Sequence, residues 1–508
     1  LNPDRLEAAL LGDTPSGRIV TWTLFCIAVG AAFLSFPPNH DVAAILDLTE
    51  RHLAGERLYH DIAEPNPPWI FVLAAAPALL SALTGVSDLW LAQALCVLTE
   101  VGTLFLAGHI VSAGWPTARR HALLILTAAL LFAWSNMHIG QREHLWIGWS
   151  LPWLALVLRR ADGHTPPQWQ AVGAGLFAAS GFAFKPYFLP AFLVAEAWLA
   201  WRAGRRMPLR TEVVTMAVSA AAWSLLVLAS GYLPNAQAFR GLYSAYNETP
   251  ETMFALSRVE VWAPVLLGVA FAPLPEDRRA WRPLVLGLVV AWAASGILQL
   301  KGWRYHWVPL WLGGGVGLGL LLVHVRKWGP LATFAVALVT LADARRITLI
   351  RWHSLSADVV IDLADRMKKY AVDGRILYLT SDAHPTYPPL RMIGAHAVNR
   401  APLIFVPGLY ADVDPKVRPF PLHVAPGPAE LAVVRALTDD LLRARPSLVV
   451  VDERPIKEGF GQTTFDWLAF AAQDPRWKDA FSGWRKVRGA WETGMYLRAD
   501  LPDPYEQK

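Results

Sequence analysis

The chain has 508 residues, of which 54% are hydrophobic and only 17% charged, with 24 tryptophans and a mean hydropathy of +0.32. Soluble globular domains do not reach that balance, so a water-soluble enzyme is excluded and an α-helical polytopic membrane protein is expected. The net charge of +5 does not point to nucleic acid, because the arginines stand in short clusters between apolar runs, as orienting charges do.

The first apolar run, Ile19 to Phe36, is as long as a true span and lacks a small-residue cleavage site, so it is expected as an uncleaved first helix. Further candidate spans begin near Leu89, Ala122, Leu145, Ala171, Tyr187, Val213, Val259, Pro283, His306 and Leu331, about eleven in all. The run from Pro67 to Thr84 is also apolar, but it follows a Pro-Pro pair and ends in a loop without Lys or Arg. If it does not cross, five basic connections share one side with the N-terminus. They hold Arg119 and Arg120; Arg159 and Arg160; Arg202, Arg205, Arg206 and Arg210; Arg278, Arg279 and Arg282; and Arg326 and Lys327. The positive-inside rule makes that side cytoplasmic, so this run is expected to lie in the outer interface. Cys26 and Cys96 fall inside apolar runs and are expected to be small buried hydrophobes, and no His, Cys, Asp or Glu spacing suits a metal.

This topology gathers polar loops on the opposite, periplasmic face. They contain Asn39, His40 and Asp41; Tyr59, Asp61, Glu64 and Asn66; His138, Gln141, Arg142, Glu143 and His144; Lys185; Tyr243, Tyr246, Asn247 and Glu248; and Lys301 to His306. After Arg345 the composition changes. Gly374–Asp382 and Pro446–Glu453 read as buried strands, while Pro428–Arg443 and Thr464–Ala472 have helical apolar spacing. The expected organisation is a transmembrane module over residues 1–345, with its first periplasmic loop at 37–88, and a periplasmic α/β domain over 346–508.

Four stretches can carry chemistry. Asp41 opens the segment DVAAILDLTERHL, with the period of an amphipathic helix over Val42–Leu53 that stops at Gly55. At the membrane boundary its carboxylate can serve as a base toward a lipid-linked substrate, or simply cap that helix. In HIGQREHLW, Arg142 and Glu143 form either an interfacial ion pair or a phosphate-neutralising and orienting pair. In FAFKPYFLP, Lys185 and Pro186 break an overlong apolar run; the lysine either snorkels to headgroups or lines a cavity. In KGWRYHWVP, Lys301, Arg304 and His306 stand among Trp303, Tyr305 and Trp307, an arrangement that suits a lipid anchor or a lipid-borne phosphate. Glu100, mid-span in LCVLTEVGTLF, is transporter-like unless a neighbouring helix pairs it.

An acidic residue after the first span, then Gly55-x-x-Leu58-Tyr59-x-Asp61-x-x-Glu64-x-Asn66-Pro67-Pro68, the Lys185-Pro186 break and Lys301-Gly302-Trp303-x-Tyr305-His306-x-x-Pro309 together resemble a known family. The chain is similar to bacterial membrane glycosyltransferases of the GT-C superfamily, in the family 39 or PMT-like branch of protein O-mannosyltransferases and lipid A aminoarabinose transferases. The resemblance covers roughly residues 18–345. It implies a GT-C fold with periplasmic interfacial helices in the bacterial inner membrane, and inverting transfer from a polyprenyl-phosphate sugar to a glycan, lipid or protein acceptor without cofactor or metal. Asp41 would be the general base and Glu143 the second acidic residue of the catalytic site; Arg142, Lys185, Lys301 and His306 would hold the donor phosphate. His40, Tyr59, Asp61, Glu64, Asn66, Gln141, His144, Trp303 and Tyr305 would line the substrates. The sequence departs from those relatives in having Asn66-Pro67-Pro68-Trp69 in place of their His-Pro-Pro-Leu, and a lone Asp41 flanked by His40 and Val42. Two other classes share part of this pattern: a ligase using a lipid pyrophosphate donor, and a non-enzymatic lipid or sugar transporter. The role of Asp382 and His384 in the SDAHPTYPPL loop is open.

Overall fold

A computed structural model describes residues 3–34, 39–203, 209–256, 266–352, 355–383, 386–400, 402–414, 416–461 and 464–505. The end of the first apolar run at Phe36, Arg205, Arg206, the run's onset at Val259 and His384 lie outside the described residues. The chain divides into two compact units, residues 1–38, 93–224 and 248–349, and residues 39–92, 225–247 and 350–508.

The helices up to the middle of the chain are α1 (Pro3–Leu11), α2 (Pro15–Ala31), α3 (His40–Leu53), α4 (Pro68–Thr84), α5 (Asp88–Val111), α6 (Thr117–Ala128), α7 (Arg142–Ala161), α8 (Gln168–Phe182), α9 (Leu189–Ala203) and α10 (Thr211–Ala229). Among the described residues, Asp88–Val111, Thr211–Ala229 and Glu276–Ile297 are long and apolar enough to cross a membrane, and Pro68–Thr84 and Gly329–Ala344 are shorter apolar helices.

In the first unit, α7 is buried on every side for most of its length, from Glu143 to Trp153. A helix apolar all round belongs at the centre of a bundle. It meets α8 through small residues: Ala171, Ala174, Gly175 and Ala178 are buried, and a Cβ on Gly181 would stand 3.2 Å from the Trp146 ring. Trp146 in turn stacks on Phe188 with ring centroids 3.8 Å apart. The Lys185 break is present: α8 ends at Phe182, Lys185 is fully extended (φ −152°, ψ 136°), and Pro186–Phe188 form a single tight turn before α9. Two further irregularities are π-helical, Ala129–Trp134 and Pro309–Gly313. Cys26, expected to be buried, is exposed on α2, because the buried face of that helix passes through Thr21, Phe25 and Ala28 instead.

In the second unit a five-stranded sheet has the order β2-β1-β3-β5-β4. Its strands are β1 (Arg375–Leu379), β2 (His396–Ala397), β3 (Leu448–Asp452), β4 (Trp484–Val487) and β5 (Thr493–Arg498). β1 pairs in parallel with β2 and β3, and β5 runs antiparallel to β3 and β4. Every residue of β3 is buried, which follows from helices covering both faces. Leu377, Leu379, Val449 and Val451 face the helix Pro428–Ala444 through Val434, Leu437 and Leu441. Their alternating neighbours Ile376, Tyr378, Leu448 and Val450 face the helix Leu355–Tyr370 through Leu363, Met367 and Tyr370. The second expected helix of this region is shorter than the sequence pattern, Trp467–Ala471, because Asp466 caps it by accepting from the Leu468 and Ala469 amides.

Candidate active site

The first unit holds a buried polar cluster where three irregular segments meet. α7 starts at Arg142, with Gln141 in the N-cap position, so Glu143 projects from the first helical turn. Its carboxylate is fully buried and lies 2.5 Å from Lys185 Nζ. Lys185 can reach it only because the chain is extended at that point rather than helical. The ammonium also donates to Gln299 Oε1 at 2.6 Å and faces His306 Nε2 at 3.5 Å. His306 Nε2 is 3.8 Å from the Glu143 carboxylate. Gln299 is itself fixed, its amide donating to the Ser295 carbonyl at 2.9 Å.

Aromatic rings wall this cluster. Tyr305 lies edge-on to His306 at 4.5 Å, Trp303 is 5.8 Å from Tyr305, and Lys185 Nζ sits 5.5 Å from the Tyr305 ring centre. Arg142 and Lys301 stand near enough for their positive charge to act on His306. Lys301 is buried, and burial brings its ammonium pKa down to about 8. Thus the structure brings Glu143, Lys185, His306, Trp303 and Tyr305 together, with Arg142 and Lys301 beside them, and adds Gln299, which the sequence did not single out.

His144 turns away from this cluster. Its Nδ1 lies 2.9 Å from a Glu100 carboxylate oxygen, both side chains fully buried, and its Nε2 faces the Leu131 carbonyl at 2.8 Å. Glu100 is therefore paired rather than isolated. Gly148 makes the room, since a Cβ there would stand 2.9 Å from that same carboxylate.

Asp41 and the Gly55–Pro68 loop motif belong to the second unit. α3 runs from His40 to Leu53 and its N-cap is Asn39, which accepts from the Asp41 amide. Asp41 is thus not the cap; its half-buried carboxylate is 3.4 Å from His40 Nε2. The rest of that loop supports itself. Tyr59, at φ 67°, donates to the Asn66 carbonyl at 2.6 Å, and Glu64 accepts from the Asn66 amide at 3.0 Å and side chain at 2.5 Å. Asp61 receives the Arg57 amide and guanidinium, hydrogen bonds that with His60 hold its carboxyl well below the usual range.

A second buried cluster was not anticipated. Arg391 bridges Asp88 and Glu50, each at 2.8 Å, and lies 4.0 Å from Asp47. Asp47, fully buried on α3, also accepts from Tyr387 Oη at 2.8 Å and lies 2.9 Å from His396 Nδ1. Burial pushes the Glu50 carboxyl above its usual range. One signal was available: Asp47, Thr49 and Arg51 fall on the buried face of α3 with Ala43 and Leu46, so a helix read as amphipathic carries charges on its inner side. Among the described residues, no group of His, Cys, Asp and Glu is arranged to hold a metal ion.

No protein-family model matches this sequence, and no curated protein matches it. Among solved structures the chain is similar to arabinofuranosyltransferase AftD from Mycobacteria, at 16% identity and a TM-score of 0.41 over 97% of this chain and 42% of that one, so it spans less than half of that protein. It is also similar to ArnT from Cupriavidus metallidurans bound to undecaprenyl phosphate, at 15% identity and a TM-score of 0.46 over 97% of this chain and all of that one. With both TM-scores under 0.5, the roles of the residues rest on this chain's own side chains.

Proposed function

We propose that this chain is a GT-C type membrane glycosyltransferase that moves a sugar from a polyprenyl-phosphate donor to a periplasmic acceptor with inversion at the anomeric carbon. One observation carries the reading. Lys185 is held at a helix break by Glu143, Gln299 and His306, with Lys301 and Arg142 adjacent and Tyr305 and Trp303 alongside. Ammonium and guanidinium groups gathered at one place suit a phosphate monoanion or dianion, which they meet through charge-assisted hydrogen bonds, and aromatic faces suit a sugar or an isoprenoid unit.

In this scheme the donor phosphate displaces part of the Glu143–Lys185 contact. The acceptor hydroxyl attacks the anomeric carbon as Asp41 takes its proton, and the bond to the phosphate oxygen breaks. Lys185, Lys301 and Arg142 stabilise the charge that develops on the departing lipid phosphate. Glu143 orients Lys185 in the free protein and the donor once it is bound. The glycosyl acceptor is a glycolipid, a polysaccharide or a protein.

Native mass spectrometry of gently purified protein with added polyprenyl phosphate tests this. Wild type is expected to retain the lipid, and Lys185→Met and Lys301→Ala to lose most of it. Equal retention by all three proteins would overturn the assignment of this cluster to the phosphate.

A further inference from the structure

Starting one turn beyond Glu143 and running toward the far end of α7, the first unit contains an apolar groove between α5, α6, α7, the helix Trp281–Ile297 and the segment around Val316. It has a cavity volume of about 120 Å³ and opens to the outside of the bundle. Leu104, Leu124, Leu151, Leu288 and Val316 line it, and its one charged lining residue is Arg120. Protein interiors are filled to the density of organic crystals, and water does not settle in a space without polar partners. An open groove lined almost wholly by apolar side chains is matched by hydrocarbon.

The dimensions and the mouth say which hydrocarbon. On α7 the lining runs from Ile147 to Leu158, a rise of about 16 Å, which is about half the roughly 30 Å hydrocarbon core of a bilayer. The groove is therefore one leaflet deep. Residues of the same unit at the Arg120 end have the character of a membrane interface. Trp115 packs edge-on against His324 at 4.5 Å and lies 6.2 Å from Trp281, and the Arg278 guanidinium covers Trp281 at 4.4 Å. Tryptophans with basic residues mark headgroup depth. Arg120 is exposed, donates to Thr117 Oγ1 at 3.0 Å, and among the described residues has no carboxylate within ion-pair distance.

We propose that this groove seats one acyl chain of an anionic phospholipid, with its headgroup phosphate on Arg120. Only the Arg120 end is remote from the Glu143 cluster: from Glu143 to Leu158 α7 rises about 22 Å, whereas the other end of the groove, at Ile147, is about one turn from Glu143. Bound lipid would fill the cleft between α6, α7 and the helix Trp281–Ile297.

The test is native mass spectrometry of the full chain in detergent, titrated with phosphatidylglycerol or phosphatidylcholine of the same acyl chains. Wild type should retain phosphatidylglycerol about fivefold better, the preference expected from one basic residue near an anionic headgroup. Arg120→Gln, an exposed change that leaves the bundle intact, should bring the two lipids to parity. Leu154→Trp, which fills the groove, should lower both. Equal retention of the two lipids by wild type, or an unchanged preference in Arg120→Gln, would overturn the proposal. So would displacement of phosphatidylglycerol by equimolar polyprenyl phosphate, which would assign the groove to the donor's tail.

Discussion

Replacing Lys185 by Met separates the electrostatic role of the polar cluster from its chemical role. In the folded protein the Lys185 ammonium donates to Glu143 at 2.5 Å and to Gln299 at 2.6 Å. Met keeps the length and apolar stem of the side chain but leaves a fully buried carboxylate whose nearest remaining partner is His306 at 3.8 Å. Removing one partner of a buried pair costs about 3 to 5 kcal/mol, most of it the desolvated charge left behind. Glu143→Gln together with Lys185→Met removes both charges and should recover most of that loss, because a neutral amide in the same place needs only a hydrogen bond. Stability is read from tryptophan fluorescence during denaturant unfolding in detergent. Transfer is read from the release of polyprenyl phosphate out of a labelled donor. The expected pattern is recovery of stability in the double variant with no recovery of transfer. If Lys185→Met changes stability by under about 0.5 kcal/mol, the ion pair is not the buried contact inferred from the geometry; if the double variant regains transfer, the pair is only a structural strut.

Three further outcomes are expected. Asp41→Asn should abolish transfer with little change in folding, whereas Glu100→Gln, which keeps an amide against His144, should retain transfer within a few-fold; the reverse pattern would favour a transporter. Because burial brings Lys301 to about 8, its positive charge is present below that pH and lost above it, so donor retention should fall as pH rises from 7 to 9. Lys301→Arg, charged throughout this range, should flatten that alkaline loss, and an unchanged profile would exclude Lys301 as its source. Arg391→Met leaves Asp88, Glu50 and Asp47 without their shared cation and should destabilise the second unit by about 3 to 5 kcal/mol, measured by protease sensitivity of the 350–508 region; Arg391→Lys should rescue it only in part, since an ammonium cannot reproduce the fork.

The sequence made some of this readable for identifiable reasons. β1 and β3 stood out because both faces of the sheet are covered, which turns them into unbroken apolar runs. β4 and β5 did not, since WRKV is mostly exposed or half-buried and Gly494 interrupts β5 where a Cβ would collide with the Glu453 carboxylate. β2 has two residues, too few for any period. The Lys185 break was legible because Lys-Pro cannot continue an apolar helix. Its partner Gln299 was not, because in GILQL a glutamine looks like the ordinary polar end of a span. The Arg391 cluster was least legible of all: Arg391 and Asp88 are 303 residues apart, and neither charge has a local pattern that announces the other.

The cluster's position follows from what a bilayer demands of the backbone. Irregular chain at membrane depth is tolerated where it is buried in protein or lines a cavity, because freed carbonyl and amide groups must find partners. In the first unit the departures from α-helix near the cluster include the π-helix Ala129–Trp134, the extended turn at Lys185 and the loop leading into the π-helix Pro309–Gly313. Side chains meet carbonyls at these places: Ser135 Oγ donates to the Leu130 carbonyl at 2.8 Å beside its own amide, His144 faces the Leu131 carbonyl, and Gln299 donates to that of Ser295. The two π-helices also touch, Trp134 edge-on to Trp311 at 5.6 Å. π-helical turns are rare and frequently stand at functional sites. The side chains that satisfy the backbone are neighbours in sequence or space of those proposed to bind phosphate: His144 follows Glu143, and Gln299 holds Lys185. A substitution at His144 or Gln299 should therefore weaken donor retention without either residue touching the donor, by letting Glu143 or Lys185 relax from the buried geometry.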